Sequence, residues 1–504
     1  MDGKKLNRSS VERPLDRKGL LLFVAALAQF MVILDVSIVN VALPAIKTTL
    51  GFTTNDLGWI LNAYTLSFAG LLLLGGRLGD IFGKKKIFIV GMVIFTVASL
   101  LGAVSNSQAL ILVARALQGL GSAIVSPATL TIITTSFAEG KERARALGIW
   151  SATAGAGGAA GALFGGVLTN YLSWRWTFLI NVPVGVVEVL LAFLYISESR
   201  GEHKASNRLD VVGSLMVTLG LTSIVFGLVQ GGNIGWRKPE TIVAFVFGVV
   251  LLVGFLFYEA RVAAAPIIPL SIFKYRALSA ANAAMFLVGG SIFASWFFLS
   301  LFMQEVLGYS PLKAGLAFIP QTLAIIVGAQ VSSRLIHKVG ARPLIIGGPV
   351  ITAVGLVLLG GITPEASYLK TLFIPSILIT LGMGLCFTPL AFAATSQVDR
   401  RYAGLASGLL NTSRQVGGAV GLAALSTVAI TSATNAIRHI PASASIAVRH
   451  ASTLLASAHG YGLSMKISAI IAIGASLSAL ALPVTKSRGS EHADDAAIAA
   501  IEPA

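Results

Sequence analysis

Apolar runs of about 20 residues, each long enough to cross a bilayer as a helix, recur along the whole chain and are separated by short polar or basic turns. They fall at 19–44, 57–76, 87–104, 109–137, 144–170 and 175–196, then at 211–230 and 240–259, and then at 277–306, 312–333, 343–361, 369–394, 403–432 and 461–484. The pattern predicts an all-α polytopic membrane protein of fourteen helices. The run at 403–432 is longer than a perpendicular span needs, which implies tilt or an early end. Between it and the last run, residues 433–460 form the longest expected loop, rich in Ala and Ser and carrying His439, His450 and His459. A loose or amphipathic connection is a better reading of that loop than a pH sensor.

Composition agrees with the pattern and removes several function classes. With 55% hydrophobic and 12% charged residues, the chain is too apolar for a soluble domain. A net charge of +16 would suggest nucleic acid only if basic clusters lay on a folded polar surface, and here they lie in the turns, so no nucleic-acid partner is expected. Cys386 is the single cysteine, which excludes an internal disulfide and a thiolate metal cluster. No His pair has metal-ligand spacing, no nucleophile constellation is evident, and no G-x-x-x-x-G-K-[ST] loop occurs. The protein is therefore expected to be neither an enzyme nor ATP-driven, and to need no cofactor.

Charge placement gives the orientation. Most of the 37 Lys and Arg residues fall on the side that holds Lys4, Lys5, Arg8, Arg13, Arg17 and Lys18, so both termini are expected in the cytoplasm, with the protein in the cell membrane. The first apolar run is too long for a secretory h-region of roughly 7 to 15 residues and is expected to persist as the first span.

Residues 75–86 return in altered form at 333–343. Arg77, Leu78, Gly83 and Lys85 align with Arg334, Leu335, Gly340 and Arg342 at a constant spacing of 257 residues, 340 less 83, and Asp80 then falls opposite His337. The chain thus reads as two related halves, an arrangement that places a transporter's substrate between them near the bilayer midplane. The expected organisation is a basic segment at 1–18, a six-helix bundle at 19–206, an inserted two-helix linker hairpin at 207–263, a second six-helix bundle at 264–486, and a polar, disordered tail at 487–504.

Several stretches carry polar residues into the apolar runs. In the first run stands Leu34-Asp35-Val-Ser-Ile38-Val-Asn40-Val-Ala-Leu43-Pro44, and in the fourth Leu112-x-x-Arg115-x-x-Gln118-Gly119-x-Gly121. An intramembrane acid or Arg points to a proton or ion path with a partner; the alternatives are a neutral hydrogen-bonded carboxyl for Asp35 and a snorkelling side chain for Arg115. Glu188 is a second embedded acid, readable also as a lipid-facing protonated group. Gly157, Gly161 and Gly165, with the adjacent Gly166, make a bare stripe on which another helix can pack. Trp174-Arg175-Trp176-Thr-Phe178-Leu-Ile-Asn181-Val-Pro183-Val-Gly185 suits an interfacial aromatic belt. Near the end, Ser407-Gly408-Leu-Leu-Asn411-Thr-Ser-Arg414-Gln415-Val-Gly417-Gly418 puts Asn411 and Arg414 on one helix face, either lining a cavity or locking the bundles. Asn62, Tyr64 and Trp296 are further candidates for a cavity wall.

Together with the turn Gly76-x-Leu78-x-Asp80-x-x-Gly83-Lys84-Lys85, these stretches resemble, over nearly the whole chain, the fourteen-helix drug:proton antiporter branch of the major facilitator superfamily. Two positions depart from its motifs: Ile81 replaces the Arg after the loop Asp, and Ala162 replaces the Pro of the antiporter glycine motif. The resemblance implies a major facilitator fold that exports amphipathic, cationic compounds in exchange for protons as a monomer. It implies proton coupling through Asp35 and Arg115, to which Glu188 is added on its own embedding. Substrate contacts would come from Asn62, Tyr64, Gln118, Trp296, Asn411 and Arg414. A conformational gate would be built on Gly76, Asp80, Gly83, Lys84, Lys85, Gly340 and Arg342, with Asp80 near the helix start at 402–404. An importer or uniporter of a small metabolite is the alternative on the same fold. A membrane sensor is disfavoured, since no soluble signalling domain is present. In a Cys386→Ser background, single cysteines at 84–86, 203 and 338 are expected to react only from the cytoplasmic side, and external labelling at 203 would invert the orientation.

Overall fold

The computed structural model describes residues 14–138, 140–197, 209–264, 266–399, 402–441, 443 and 445–482. Most of the basic N-terminal segment, the stretch 198–208 and the tail at 487–504 lie outside the described residues. The first six long helices are α1 (Pro14–Leu50), α2 (Trp59–Phe82), α3 (Lys84–Ala103), α4 (Gln108–Ser136), α5 (Lys141–Tyr171) and α6 (Asn181–Tyr195). A hairpin of α7 (Val211–Asn233) and α8 (Pro239–Arg261) follows. The last six are α9 (Arg276–Leu301, prolonged by one π turn), α10 (Pro311–Val339), α11 (Ala341–Leu359), α12 (Phe373–Ser396), α13 (Ala403–Arg438) and α14 (Ile446–Ser478). With the short helix Trp176–Leu179 that leads into α6 counted to it, all fourteen are long and apolar enough to cross a membrane, which makes this a multi-pass membrane protein.

The expected loop at 433–460 is mostly helix. α13 continues to Arg438 and α14 begins at Ile446, where the Ser445 side chain accepts the Val448 backbone N–H at 3.3 Å. Helix formation there needs no apolar face, because Ala is the strongest helix former and a serine N-cap closes the start. His450 and His459 are exposed on α14, and His439 follows α13.

The two sets of six helices repeat one packing scheme. α1 packs on α5, and α2 and α3 on α4; correspondingly α9 packs on α13, and α10 and α11 on α12. The repeated turns match in geometry as well. Gly83 ends α2 and opens α3 at φ +94°, and Gly340 ends α10 and opens α11 at φ +81°, a conformation that favours glycine. Cations in a helix's first turn oppose its dipole, and both repeats turn that charge elsewhere. Lys85 Nζ donates to the Phe193 carbonyl at 2.7 Å, near the C-terminus of α6, and Arg342 Nη2 donates to the Leu480 carbonyl at 2.9 Å, beyond α14. Lys85 and Arg342 thus tie their turns to the C-terminal end of the last helix of their own half. The end of the molecule bearing these two turns is called the basic end below.

Close approach between helices rests on glycine. A methyl on Gly417 would run into the Phe286 carbonyl, and one on Gly289 into the Arg414 carbonyl, so α9 and α13 meet backbone to backbone. The halves pack chiefly along two seams, α5 with α10 and α2 with α13, and α1 also meets α9. α7 lies over the second seam only, with Thr427 Oγ1 donating to the Leu228 carbonyl at 2.9 Å and Asn55 Nδ2 to the Val229 carbonyl at 3.1 Å. The hairpin is therefore bonded to both halves.

Overpacking a contact of this kind costs about 1–3 kcal/mol or more. Gly417→Val is expected to lower the thermal aggregation midpoint in detergent, and Gly347→Ala, at a glycine with nothing within 4 Å of an added methyl, to leave it unchanged. Equal midpoints for the two variants would contradict the backbone contact.

Candidate functional site

Asp35 and Arg115 are both completely buried, and Arg115 Nη1 lies 2.5 Å from Asp35 Oδ2. The snorkelling alternative for Arg115 is thereby removed: its head group points into the protein. Arg115 Nε donates to the Ile60 carbonyl at 3.0 Å, Nη1 also reaches Gln118 Oε1 at 2.8 Å, and the guanidinium carbon stands 4.4 Å from the centre of the Tyr64 ring. The other carboxylate oxygen of Asp35 accepts from Gln118 Nε2 and from Asn181 Nδ2, each at 2.9 Å. Gln118 Nε2 also donates to Ser99 Oγ at 2.8 Å, and the Tyr64 hydroxyl donates to Ser122 Oγ at 2.9 Å. Five helices of the first half, α1, α2, α3, α4 and α6, thus converge on one carboxylate–guanidinium pair.

Local structure explains how each group arrives. The glycine stripe of α5 lies against α1 on both sides of Asp35: an added methyl at Gly157, Gly161 or Gly165 would stand 2.8, 2.7 or 2.8 Å from the carbonyls of Phe30, Leu34 or Ile38. Ser37 Oγ donates to the Gly158 carbonyl at 2.7 Å across the same contact. Gly166 instead meets Pro311 of α10, in the other half. The Trp174–Gly185 stretch works as an anchor more than as a belt. Trp174 and Phe178 are buried, the Arg175 guanidinium lies over Trp174 and donates to the Ser105 carbonyl at 2.9 Å, and of the three aromatic residues only Trp176 is exposed. That anchoring brings Asn181, at the start of α6, onto Asp35.

Glu188 is completely buried, with neither carboxylate oxygen hydrogen-bonded, so it does not face lipid. It lies two turns beyond Asn181 on α6. Asn62, Tyr64 and Gln118 are buried inside the first half, away from any open wall. The other three candidate substrate contacts are half-buried on the second half: Trp296, stacked on Phe293 with ring centres 6.3 Å apart, and Asn411 with Arg414. In the turn motif, an added methyl on Gly75 would run into the Ala123 carbonyl, one on Gly76 would stand 3.7 Å from Pro127, and Asp80 and Lys84 flank the α2–α3 junction.

Sequence reasoning did not find the roles of Ser99, Ser122 and Asn181, nor a row of bonds between α1 and α9 away from the basic end. There Ser300 Oγ donates to the Asn40 carbonyl at 2.9 Å, Gln304 Nε2 to the Val41 carbonyl at 3.0 Å, and Lys47 pairs with Glu305 at 2.7 Å. Asn181 stood inside a recognised motif and so could have been found; single Ser and Gln residues in apolar runs carry no comparable signal.

Removing one partner of a buried pair leaves an uncompensated charge, at a cost of about 3–5 kcal/mol. Arg115→Gln is expected to destabilise the protein by that order, and the double variant Asp35→Asn, Arg115→Gln by less than the sum of the Asp35→Asn and Arg115→Gln changes. Unfolding of the four proteins in a double-mutant cycle measures the coupling, and additivity would show that the pair is not formed.

The Major Facilitator Superfamily pattern matches residues 25–422. The chain is 45% identical over 408 residues to the cephamycin export protein CmcT of Amycolatopsis lactamdurans, covering 81% of this chain and 84% of that protein. It is 37% identical over 499 residues to the puromycin resistance protein pur8 of Streptomyces alboniger, covering 98% and 97%. Its fold is similar to the crystal structure of the POT family transporter PepTSo, with a TM-score of 0.66 at 16% identity over 92% of this chain and 97% of that one. The repeated six-helix scheme, the inserted hairpin and these similarities lead to one conclusion: the chain belongs to the Major Facilitator Superfamily.

Proposed function

We propose that this protein is a proton-coupled exporter of amphipathic small molecules. It would be a monomer of two six-helix halves joined by the α7–α8 hairpin, resident in the cell membrane with both termini in the cytoplasm. The family is one of transporters rather than enzymes, and relatives named for antibiotic export and resistance support outward transport over the importer alternative. The observation that carries the coupling is the sealed Asp35–Arg115 pair. A carboxylate held by three donors, with its countercharge inside the same half, can take a proton only if that network is opened.

In this reading the basic end faces the cytoplasm and the α1–α9 row of bonds closes the external side. Opening outward breaks that row, lets water reach α1, and allows Asp35 to accept a proton and release Arg115. Return to the inward state delivers the proton to the cytoplasm and restores the pair. Glu188 is a second proton-holding group within the first half. The turns at Gly83 and Gly340, tied to their own halves by Lys85 and Arg342, carry the gate as rigid ends, with Gly76, Asp80 and Lys84 on the moving face. A gradient drives export only if substrate binds the two protonation states unequally. No cofactor takes part. The cationic preference expected from the sequence would need an unpaired Asp35 facing the substrate, and here that charge is met by Arg115.

In everted vesicles, amphipathic compounds including puromycin are expected to collapse an imposed pH gradient through the wild-type protein. Asp35→Asn should abolish this collapse and uphill transport, while Glu188→Gln should have a smaller effect. Uphill transport by Asp35→Asn at the wild-type rate would refute the coupling role of Asp35.

A further inference from the structure

The second half holds a guanidinium in a different situation from Arg115. Arg414 lies about 16 Å along α13 from its first residue, at about 1.5 Å per residue, close to the middle of a hydrocarbon layer about 30 Å thick. Its hydrogen bond is from Nη2 to Asn411 Oδ1 at 2.9 Å, a neutral partner one turn away on its own helix, and its guanidinium carbon stands 5.6 Å from the centre of the Phe387 ring on α12. Among the described residues no carboxylate pairs with it. The side chain is half-buried, and its remaining N–H groups are not among the sealed, unsatisfied polar atoms, so they keep some accessible surface. One turn further along α13, Gly418 receives the ring of Phe293, which stacks on Trp296 of α9. A cation and an amide therefore stand beside an aromatic shelf on the half opposite the sealed pair.

An Arg at membrane depth is costly unless compensated. The two central basic residues divide sharply on this point: Arg115 has its countercharge in place, whereas Arg414 has none. We propose that the missing countercharge is supplied by the cargo, and that Arg414, with Asn411, is the receptor for a carboxylate on an amphipathic aromatic substrate whose rings lie against Phe387, Phe293 and Trp296. Planar, forked donors match a carboxylate with two parallel hydrogen bonds, and Asn411 holds the fork from below. This assignment rests on the export reading for its physiological meaning and replaces the cationic preference with an anionic one at this site.

The test is equilibrium binding with two probes of one shape, 1-pyrenebutyrate and its trimethylammonium counterpart, to the protein in zwitterionic-lipid nanodiscs at neutral pH without a gradient. The carboxylate is expected to bind at least about tenfold more tightly than the ammonium, and Arg414→Gln to remove that preference, given that losing one partner of a desolvated charge pair costs that much or more. Arg414→Lys keeps the charge without the fork and should retain only part of the preference. Tighter binding of the ammonium probe to the wild-type protein would overturn the proposal without any variant. So would carboxylate binding that is unchanged in folded Arg414→Gln protein. Because no gradient is used, failure here leaves proton coupling standing; carboxylate binding without collapse of a pH gradient in vesicles would fault the antiport reading alone.

Discussion

A full charge inside a bilayer is costly unless it meets its opposite, and the first half of this molecule is arranged around that requirement. Asp35 and Arg115 have no exposed surface, so water cannot lower the cost of either. Each helix around them is placed by what it gives the pair: an amide from α6, a main-chain carbonyl from α2, a glutamine from α4 and an aromatic face from Tyr64. The glycine stripe of α5 belongs to the same requirement, since only side chains without bulk let α1 lie deep enough for Asp35 to be enclosed. Paired charges of this kind contribute little net stability. In the proposed coupling the pair would pass between a closed and a broken state, and its burial means that the surrounding helices would have to shift together to open it.

Much of this could be read from the amino acids, for definable reasons. Apolar runs have few alternative meanings at lengths near 20 residues, so fourteen helices followed directly. Asp35 and Arg115 were conspicuous because charge in such runs is rare. The turn at residue 83 was recognisable because its glycine, its basic residue and their spacing recur at 340. The structure added that both basic residues reach the last helix of their own half, a tertiary contact that no local pattern encodes.

Other features were not legible. The Ala-rich ends of α13 and α14 looked like a loop because hydropathy reports burial in lipid, and a helix standing clear of the bilayer needs none. Tyr64 and Gln118 looked like cavity residues because a polar side chain in a span can face either a cavity or a buried partner, and the sequence does not distinguish the two. Trp174 and Phe178 looked like an interfacial belt for a similar reason: aromatic residues near a span end serve equally as lipid anchors or as a packed corner.

The hairpin over the α2–α13 seam has a consequence for how molecules dissolved in the bilayer meet this protein. The two seams between the halves are equivalent by the internal repeat, yet one is roofed by α7 and the other is bare. A hydrophobic compound moving sideways through the lipid therefore meets the two seams differently, one behind the hairpin and the other, closely packed between α5 and α10, directly. The pseudo-twofold axis that relates the helices does not relate the two lipid-facing sides, and the molecule has a front and a back within the plane of the membrane.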